Sequence, residues 1–482
     1  MPAIRRFAVL AGKRIDDPRL ENEPTVGKSH CPFKGRRTRG PGQSKPTRKT
    51  SFELDIGISV NPLAAAFIPD SLPSLSNHRW RAGVAFRADR GCFASPVRCI
   101  STVSDRFGTV GHRDVRRLDL LYCPRMYAVK NAANSPASPR FDLALVGCGR
   151  IAKKHLDAIE SLDNSVRIVG AVDPDDQARR QASEVLDTPG YAKLDALLDD
   201  RSVDLVTLAT PTGLHPDQAI RAAEAGAHVL TEKPLGTCLD SARSMVRRIT
   251  DLNRRLFVVK QLRHHPLFLA VRDAVARGRF GQLHTIGLQI FWTRPQNYYD
   301  SADWRGTAEL DGGALMNQAS HYVDLLDWLF GSIAEVHAVG GTLARDIEVE
   351  DTAVVSLAWN DGFVGSLHVT MLTYPKNLAT SLTVIGEQGT VRLGGPMCNQ
   401  IRAWDFAEPD PVDETVDELA AAVPDALRQG HREVYRNVLA SLRGDDAPVV
   451  DGREGLRSLA IIDAAYRALD DGTAVDVPPS LG

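Results

Sequence analysis

The sequence predicts an α/β protein with two folded parts. A doubly wound parallel-sheet domain is expected over residues 140–260, and an α+β domain with a large open, mainly antiparallel sheet over 261–482. A glycine turn near residue 147 joins a short apolar run to an amphipathic helix. Short apolar runs and helical patterns then alternate, with brief connections, up to about residue 260. Beyond that point the period becomes that of alternating strands separated by turn residues. Residues 1–139 show no sustained period and are expected to be a disordered or mis-annotated extension.

The first unit begins at residues 143–146, a run apolar enough for a strand buried on both faces. Ile151, Leu156 and Ile159 follow on a helical period. Between them stands Gly147-Cys148-Gly149-Arg150-Ile151-Ala152. Gly147 permits the tight turn, Gly149 lets a pyrophosphate approach the backbone, and Ala152 allows close helix–strand packing. Free amides at the helix start then face phosphates. A tight turn without a ligand would look similar, but the next strand, 166–172, ends at Asp173. That acid lies about 24 residues past Gly149, where a carboxylate accepts from the adenosine ribose hydroxyls. It repels a 2′-phosphate, so NAD is expected rather than NADP. Arg179 and Arg180 nearby are assigned to a solvated helix face.

Further strands are expected at 203–209, 228–231 and 256–260, with helices at 177–186, 219–225 and 239–252. The loop Thr210-Pro211-Thr212-Gly213-Leu214-His215 follows one strand, and Glu232-Lys233-Pro234 follows the next. Both lie at strand carboxyl ends, where open parallel sheets bind ligands.

Hydrophobic residues make up 43% of the 482 and charged residues 24%, the balance of a globular chain. Net charge is −2, but residues 1–125 carry about +12 and the remainder about −14. An acidic globular part argues against nucleic acid as a partner. The seven cysteines show no C-x-x-C pair, and no run reaches the roughly 18 apolar residues of a membrane span. A cytoplasmic protein is expected, with no membrane partner. For the basic N-terminal stretch, a tail for an acidic partner and a targeting segment compete with a third reading, favoured here: translation starts at Met126 and the upstream part is an over-extended gene start.

The glycine fingerprint, the Thr-Pro-x-x-x-His loop and the Glu-Lys-Pro motif, in that order, resemble the glucose–fructose oxidoreductase/inositol dehydrogenase/rhizopine catabolism (Gfo/Idh/MocA) family. The likeness runs from about residue 141 to the C-terminus. It implies an NAD-binding Rossmann domain, a C-terminal substrate and oligomerisation domain, and a homodimer or homotetramer. It places Lys233 beside the nicotinamide, with a bond into Pro234 that is often cis in the family. Cofactor contacts are then expected from Gly147, Gly149, Arg150, Ile151, Asp173, Thr210, Pro211, His215, Glu232, Lys233, Gln261 and Trp304.

In the second unit, strands are expected at 285–292, 335–340, 352–359, 362–371 and 380–385, and helices at 267–277, 313–329, 431–442 and 455–470. The helix over 313–329 carries Asn317, His321 and Asp324 at spacings of four and three, which share one α-helical face. By the resemblance, His321 joins Lys233 in relaying a proton from a substrate hydroxyl. Inositol-type members carry aspartate where this chain has Asn317. An amide cannot act as a base, so Asn317 is assigned to orienting substrate or His321. That departure favours a nucleotide-sugar branch. Residues 261–266 and 312–318 are similar to bacterial UDP-N-acetyl-2-amino-2-deoxyglucuronate (UDP-N-acetylglucosaminuronate) 3-dehydrogenases.

The implied chemistry is NAD-dependent oxidation of a sugar ring hydroxyl to a ketone. A free-sugar or polyol dehydrogenase and a non-catalytic NAD-binding regulator are the alternatives. Arg263, Arg294 and Arg305 are candidates for a substrate carboxylate or diphosphate, by bidentate pairing. Tyr298, Tyr299 and Trp304 are candidates for stacking, or plain core. His264 and His265 diverge on any regular element and lack a third ligand, so no metal is expected.

Overall fold

The computed structural model describes residues 140–162, 165–448 and 450–480. The expected extension over 1–139 and the expected start at Met126 lie outside the described residues.

The first unit runs β1 (Phe141–Val146), α1 (Ala152–Ile159), β2 (Val166–Val172), α2 (Asp176–Leu186), β3 (Gly190–Tyr191), α3 (Leu194–Asp200), β4 (Leu205–Leu208), α4 (His215–Glu224), β5 (His228–Thr231), α5 (Leu239–Asp251) and β6 (Leu256–Val258). Its six strands pair in parallel in the order β3-β2-β1-β4-β5-β6. Leu143, Ala144 and Leu145 are wholly buried although they alternate faces, as a doubly covered parallel strand requires. Strand order reverses at β1, so the ends of β1 and β4 open a crevice between their following loops.

The second unit contains α6 (Pro266–Ala276), β7 (Leu283–Phe291), α7 (Gln296–Tyr299), α8 (Ser320–Phe330), β8 (Ile333–Gly341), β9 (Thr352–Trp359), β10 (Val364–Thr370), β11 (Ala379–Gly386), β12 (Gly389–Gly394), β13 (Gln400–Phe406), α9 (Val416–Arg443), α10 (Gly452–Asp471) and β14 (Val475–Asp476). Eight strands form one sheet in the order β13-β12-β11-β7-β10-β9-β8-β14. Only β7 and β10 pair in parallel, so the sheet is mainly antiparallel, as expected.

Several elements depart from expectation. The single helix over 313–329 is broken: Ala314–Gln318 forms a π turn, and α8 starts afresh at Ser320. The amide of Ala319 reaches back five residues to the Ala314 carbonyl, so Asn317 and His321 do not share a continuous α-helical face.

The expected helix over 431–442 is instead the 28-residue α9, which continues through Pro424. Proline in a helix interior costs about 3 kcal/mol. Burial of Val416 and Val423 on the early turns offsets it. α9 also crosses the boundary placed at 260. Its Val434, Tyr435, Val438 and Leu439 pack with Leu143, Leu145, Leu205, Leu230 and Phe257 of the parallel sheet. The last long helices of the second unit therefore complete the cover of the first.

β12 and β13 were not expected as strands. β13 is an edge strand whose alternation is weak, with Arg402 and Asp405 among Ile401, Trp404 and Phe406.

Candidate active site

The glycine turn after β1 has the geometry that its residues imply. Gly147 has φ +90°, and a Cβ there would lie 2.6 Å from the Ala209 carbonyl carbon and oxygen. No other residue fits that approach of the turn to the end of β4. A Cβ on Gly149 would meet nothing within 4 Å, which leaves open space beside the backbone. Ile151 stands at the N-cap position, and no side chain caps α1. Asp173 closes the crevice at the end of β2. Its Oδ2 accepts the Cys148 amide at 2.8 Å and its Oδ1 the Asp175 amide at 2.9 Å. Turn, open glycine and acid together fit a dinucleotide.

The loops after β4 and β5 hold each other. Thr210 Oγ1 donates to Gln218 at 2.6 Å. His215 places Nε2 3.0 Å from the Thr210 carbonyl and Nδ1 2.9 Å from the Pro234 carbonyl. His215 is 1% exposed, and burial lowers its pKa. Both ring nitrogens serve the backbone, which corrects the expected cofactor contact: His215 braces the two loops. Glu232 needs a similar correction. Its buried carboxylate turns toward His155 and His431 instead of the crevice.

Lys233 follows β5, and its peptide bond to Pro234 is cis. Its Nζ donates to the Asn317 carbonyl at 2.9 Å. That carbonyl belongs to the π turn, where the helical hydrogen-bond ladder is interrupted. Burial lowers the Lys233 pKa, and Lys260 and Arg294 lower it further, while Glu232 and Asp311 oppose them.

His321 packs in the same place. Gln261 Nε2 lies 3.1 Å from His321 Nε2. With the Gln261 amide nitrogen facing the ring, His321 Nε2 accepts and Nδ1 carries the proton. Nδ1 is buried and has no partner. Burial, then the charges of Lys233 and Lys260, hold the His321 pKa well below its usual value. The ring is therefore neutral.

Asn317 donates from Nδ2 to Asp311 Oδ1, and its Oδ1 accepts Gln318 Nε2 at 3.3 Å. Asp311 also accepts the Gly306 amide at 2.7 Å. Burial raises the Asp311 carboxyl above the ordinary range. The carboxylate missing at position 317 thus stands behind it, on the turn before. The segment 304–311 is docked on the first unit: Gly213 donates its amide to the Leu310 carbonyl, and Thr237 donates to the Glu309 carbonyl.

Beyond Asn317 lies Tyr298, with three guanidiniums around its ring: Arg305 at 4.5 Å, Arg294 at 5.4 Å and Arg150 at 5.6 Å. Arg305 donates to the Tyr298 hydroxyl at 2.8 Å, and its Nε is buried without a partner. Arg294 donates to Gln318 at 2.8 Å and to the Thr293 carbonyl at 2.8 Å. None of the three forms an ion pair among the described residues. Trp304 is half-buried, with Arg305 4.3 Å from its ring centre.

Two expected substrate contacts are corrected here. Arg263 is 4% exposed and grips Asp324 with Nε and Nη2 at 2.9 and 2.8 Å, and Glu454 at 3.2 Å. Its donors are engaged inside the fold, so it is not free to hold a substrate anion. Tyr299 is 8% exposed and lies edge-on to Tyr298. Adjacent residues of a helical turn point about 100° apart, so α7 directs Tyr298 toward the arginines and Tyr299 into the core. Asp311, Gln318 and Lys260 went unread as site residues. The Asp311-Gly312 turn was the available signal for the first; nothing local marks the others.

The chain matches the family described as "Oxidoreductase family, NAD-binding Rossmann fold" over residues 141–260, and "Oxidoreductase family, C-terminal alpha/beta domain" over 272–477. It is similar to the WlbA dehydrogenase of Bordetella pertussis, solved with NADH and UDP-GlcNAcA. The two are 46% identical, over 71% of this chain and 99% of that one, with a TM-score of 0.69. The WlbA dehydrogenase of Chromobacterium violaceum, solved with the same ligands, is also 46% identical, over 71% and 97%, with a TM-score of 0.68. The D-apiose dehydrogenase of Paraburkholderia graminis is 26% identical over 72% of this chain and 92% of that protein. The chain belongs to the Gfo/Idh/MocA oxidoreductase family, as an NAD-dependent enzyme.

Proposed function

We propose that this enzyme oxidises a ring hydroxyl of an anionic nucleotide sugar, a UDP-N-acetylhexosaminuronate, and passes the hydride to NAD. The observation that carries the reading is the group Arg150, Arg294 and Arg305 around Tyr298, three guanidiniums with no carboxylate partner among the described residues. Arg294 and Arg305 are half-buried, and a partly desolvated guanidinium without a counter-ion calls for an anion from the ligand. The 46% identity to dehydrogenases solved with NADH and UDP-GlcNAcA supports the same substrate class.

NAD, when bound, would supply the hydride acceptor. Gly147 and Gly149 would let its phosphates approach the backbone, and Asp173 would meet its ribose. In its neutral form, which burial favours, Lys233 has one N–H committed to the Asn317 carbonyl and keeps its lone pair for the substrate hydroxyl proton. His321 does not accept that proton. Its unpartnered Nδ1–H donates to the oxygen as negative charge develops there. Lys233 is the base and His321 the stabiliser, a division of labour that replaces a joint relay. Asn317, fixed by Asp311 and Gln318, holds the π turn that presents its carbonyl to Lys233.

In this reading a second copy of the chain covers the open face of the eight-stranded sheet, a reading supported by the exposure of Val339, Val364 and Ile385 on β8, β10 and β11. Sedimentation at equilibrium tests that assembly, and a monomer at micromolar concentration would end it. No helix among the described residues is long and apolar enough to cross a membrane. Among the described residues Cys148 and Cys398 are free thiols, which supports a cytoplasmic site of action.

NADH absorbance with a sugar panel tests the activity. Turnover is expected with UDP-N-acetylglucosaminuronate and not with UDP-N-acetylglucosamine, glucose, glucuronate or myo-inositol. Turnover with the free sugars instead would establish a sugar or polyol dehydrogenase. NAD binding with no turnover on any of them would establish a regulator.

A further inference from the structure

A chain of buried polar groups lies directly behind Lys233. His155 on α1 and His431 on α9 both aim Nε2 at Glu232 Oε1, each at 3.1 Å. His155 Nδ1 lies 3.0 Å from the Tyr435 hydroxyl, and that hydroxyl lies 3.0 Å from Thr207 Oγ1. Glu232 Oε2 accepts the Lys233 amide at 3.2 Å. None of Thr207, Tyr435, His155, His431 and Glu232 is more than 7% exposed. Buried polar groups persist when every donor finds an acceptor.

One proton assignment satisfies all these contacts. Thr207 donates to Tyr435, and Tyr435 donates to His155 Nδ1. His155 and His431 then donate from Nε2–H to an ionised Glu232. Burial holds His155 neutral by lowering its pKa. Burial works to raise the Glu232 carboxyl, but hydrogen bonds from the two histidines hold it well below the usual range.

We propose that His431 and His155 are positioning residues for Lys233: through Glu232 they hold a buried negative charge and the Lys233 backbone behind the reacting centre. The C-terminal helix α9 therefore helps to set the base, although it lies about 200 residues further along the chain. The proposal rests on Lys233 being the base. The charged groups facing Lys233 are Glu232, Asp311, Lys260 and Arg294, of which only the first two are negative. Those facing Glu232 are His155, His431 and Lys233, then His215 and His321, with the Tyr435 hydroxyl next in line. Loss of the Glu232 charge thus leaves Lys233 with two positive neighbours and one acid.

The same three side chains, with donor atoms within 4.8 Å of one another, have residue types that also suit a transition metal. The hydrogen bonds described place protons on the two Nε2 atoms whose lone pairs a metal would need, so the two arrangements exclude each other.

The test is the pH profile of kcat/KM, with kcat and NAD affinity measured alongside, for the full chain and five variants. Base catalysis by Lys233 gives an acid limb that rises with pH. Glu232→Gln is expected to move that limb to lower pH by about 1 unit, because an adjacent anion favours the protonated lysine. His431→Leu is expected to move it the same way and to lower kcat about tenfold, part of the ~10²–10⁴ that a positioned acid–base group contributes. NAD affinity is expected to stay within about twofold in both, since neither residue meets the cofactor turn. His431→Gln, which keeps an N–H near the same place, is expected to restore both quantities.

If His431→Leu does not fold, Tyr435→Phe carries the test, since it removes only the hydroxyl that fixes His155; the same shift, smaller, is expected. A wild-type limb and plateau in His431→Leu or Tyr435→Phe overturns the proposal. Equal damage from His431→Gln and His431→Leu does so too, and so does stoichiometric transition metal in the purified protein. Lys233→Met separates the two levels: retained turnover there overturns the reading of Lys233 itself, while its loss beside unaffected histidine variants overturns this inference alone.

Discussion

Lys233 Nζ is anchored 2.9 Å from the carbonyl of Asn317, a residue of the π turn before α8. The amine of the first unit is thereby held by the backbone of the second. Lys233→Met removes the base but leaves the glycine turn untouched. Turnover is expected to fall by about 10²–10⁴, while NAD still binds with near wild-type affinity by fluorescence titration. Unchanged turnover would exclude Lys233 as the base.

The acid limb of kcat/KM should report Lys233. Burial lowers its pKa, and Lys260 and Arg294 add to that effect, against Glu232 and Asp311. The base is active when neutral, so activity rises with pH through a midpoint below that of an ordinary lysine. His321 is already neutral at neutral pH, since burial and the nearby lysines depress its pKa. His321→Ala should therefore lower the plateau without removing the limb. Loss of the limb in that variant would reassign it to His321.

Much of this arrangement was legible in residue order, and the failures share a cause. Parallel strands such as β1 are apolar throughout because both faces are covered, and Gly147 is required by a local approach to Ala209, so both leave a mark in the sequence. The same holds for Lys233, whose neighbours in the chain form a motif. Arg263 was misassigned because its partner Asp324 is 61 residues away, and no local pattern records that pairing. Tyr298 and Tyr299 are indistinguishable until the turn that carries them is known. α9 was shortened because Pro424 reads as a stop, and the burial of Val416 and Val423 that offsets it is tertiary and leaves no local mark.

Arg294 and Arg305 are predicted to hold the anionic part of the substrate. Replacing either with leucine removes a charged donor, worth about 1.5–3 kcal/mol when its partner is an anion. KM for the nucleotide sugar should then rise by about tenfold or more, with KM for NAD little changed. An equal rise for NAD would place the arginine on the cofactor. Arg150 lies on the glycine turn and also over Tyr298, so Arg150→Leu should raise both.

Gly147→Ala places a Cβ 2.6 Å from the Ala209 carbonyl at φ +90°. The backbone must move or bear strain of about 1–3 kcal/mol. The expected result is a lower melting temperature together with weaker NAD binding, because the same turn faces the pyrophosphate. Gly149→Ala meets no protein atom, so it should weaken NAD binding while leaving thermal stability of the unliganded enzyme unchanged. A loss of unliganded stability in Gly149→Ala would mean that its role is packing.

Asp324 anchors the buried charges that flank the site. It pairs with Arg263 at 2.8 Å and with Lys260 at 3.4 Å, and all three are at most 4% exposed. Burial works to raise its carboxyl, but the charges of Lys260 and Arg263 hold it below the usual range. A carboxyl held below its unfolded value adds stability at pH above that value, about 3.9. The contribution fades as pH falls through the lower folded value. Asp324→Asn leaves Lys260 its hydrogen bond to Ser458 and Arg263 its contact with Glu454, and breaking a buried pair in this way costs about 3–5 kcal/mol. Urea unfolding at neutral pH should show that loss, and the gap between wild type and variant should narrow as the pH is lowered below about 3.9. A constant gap across that range would show that the carboxylate charge is not what holds this corner of the site.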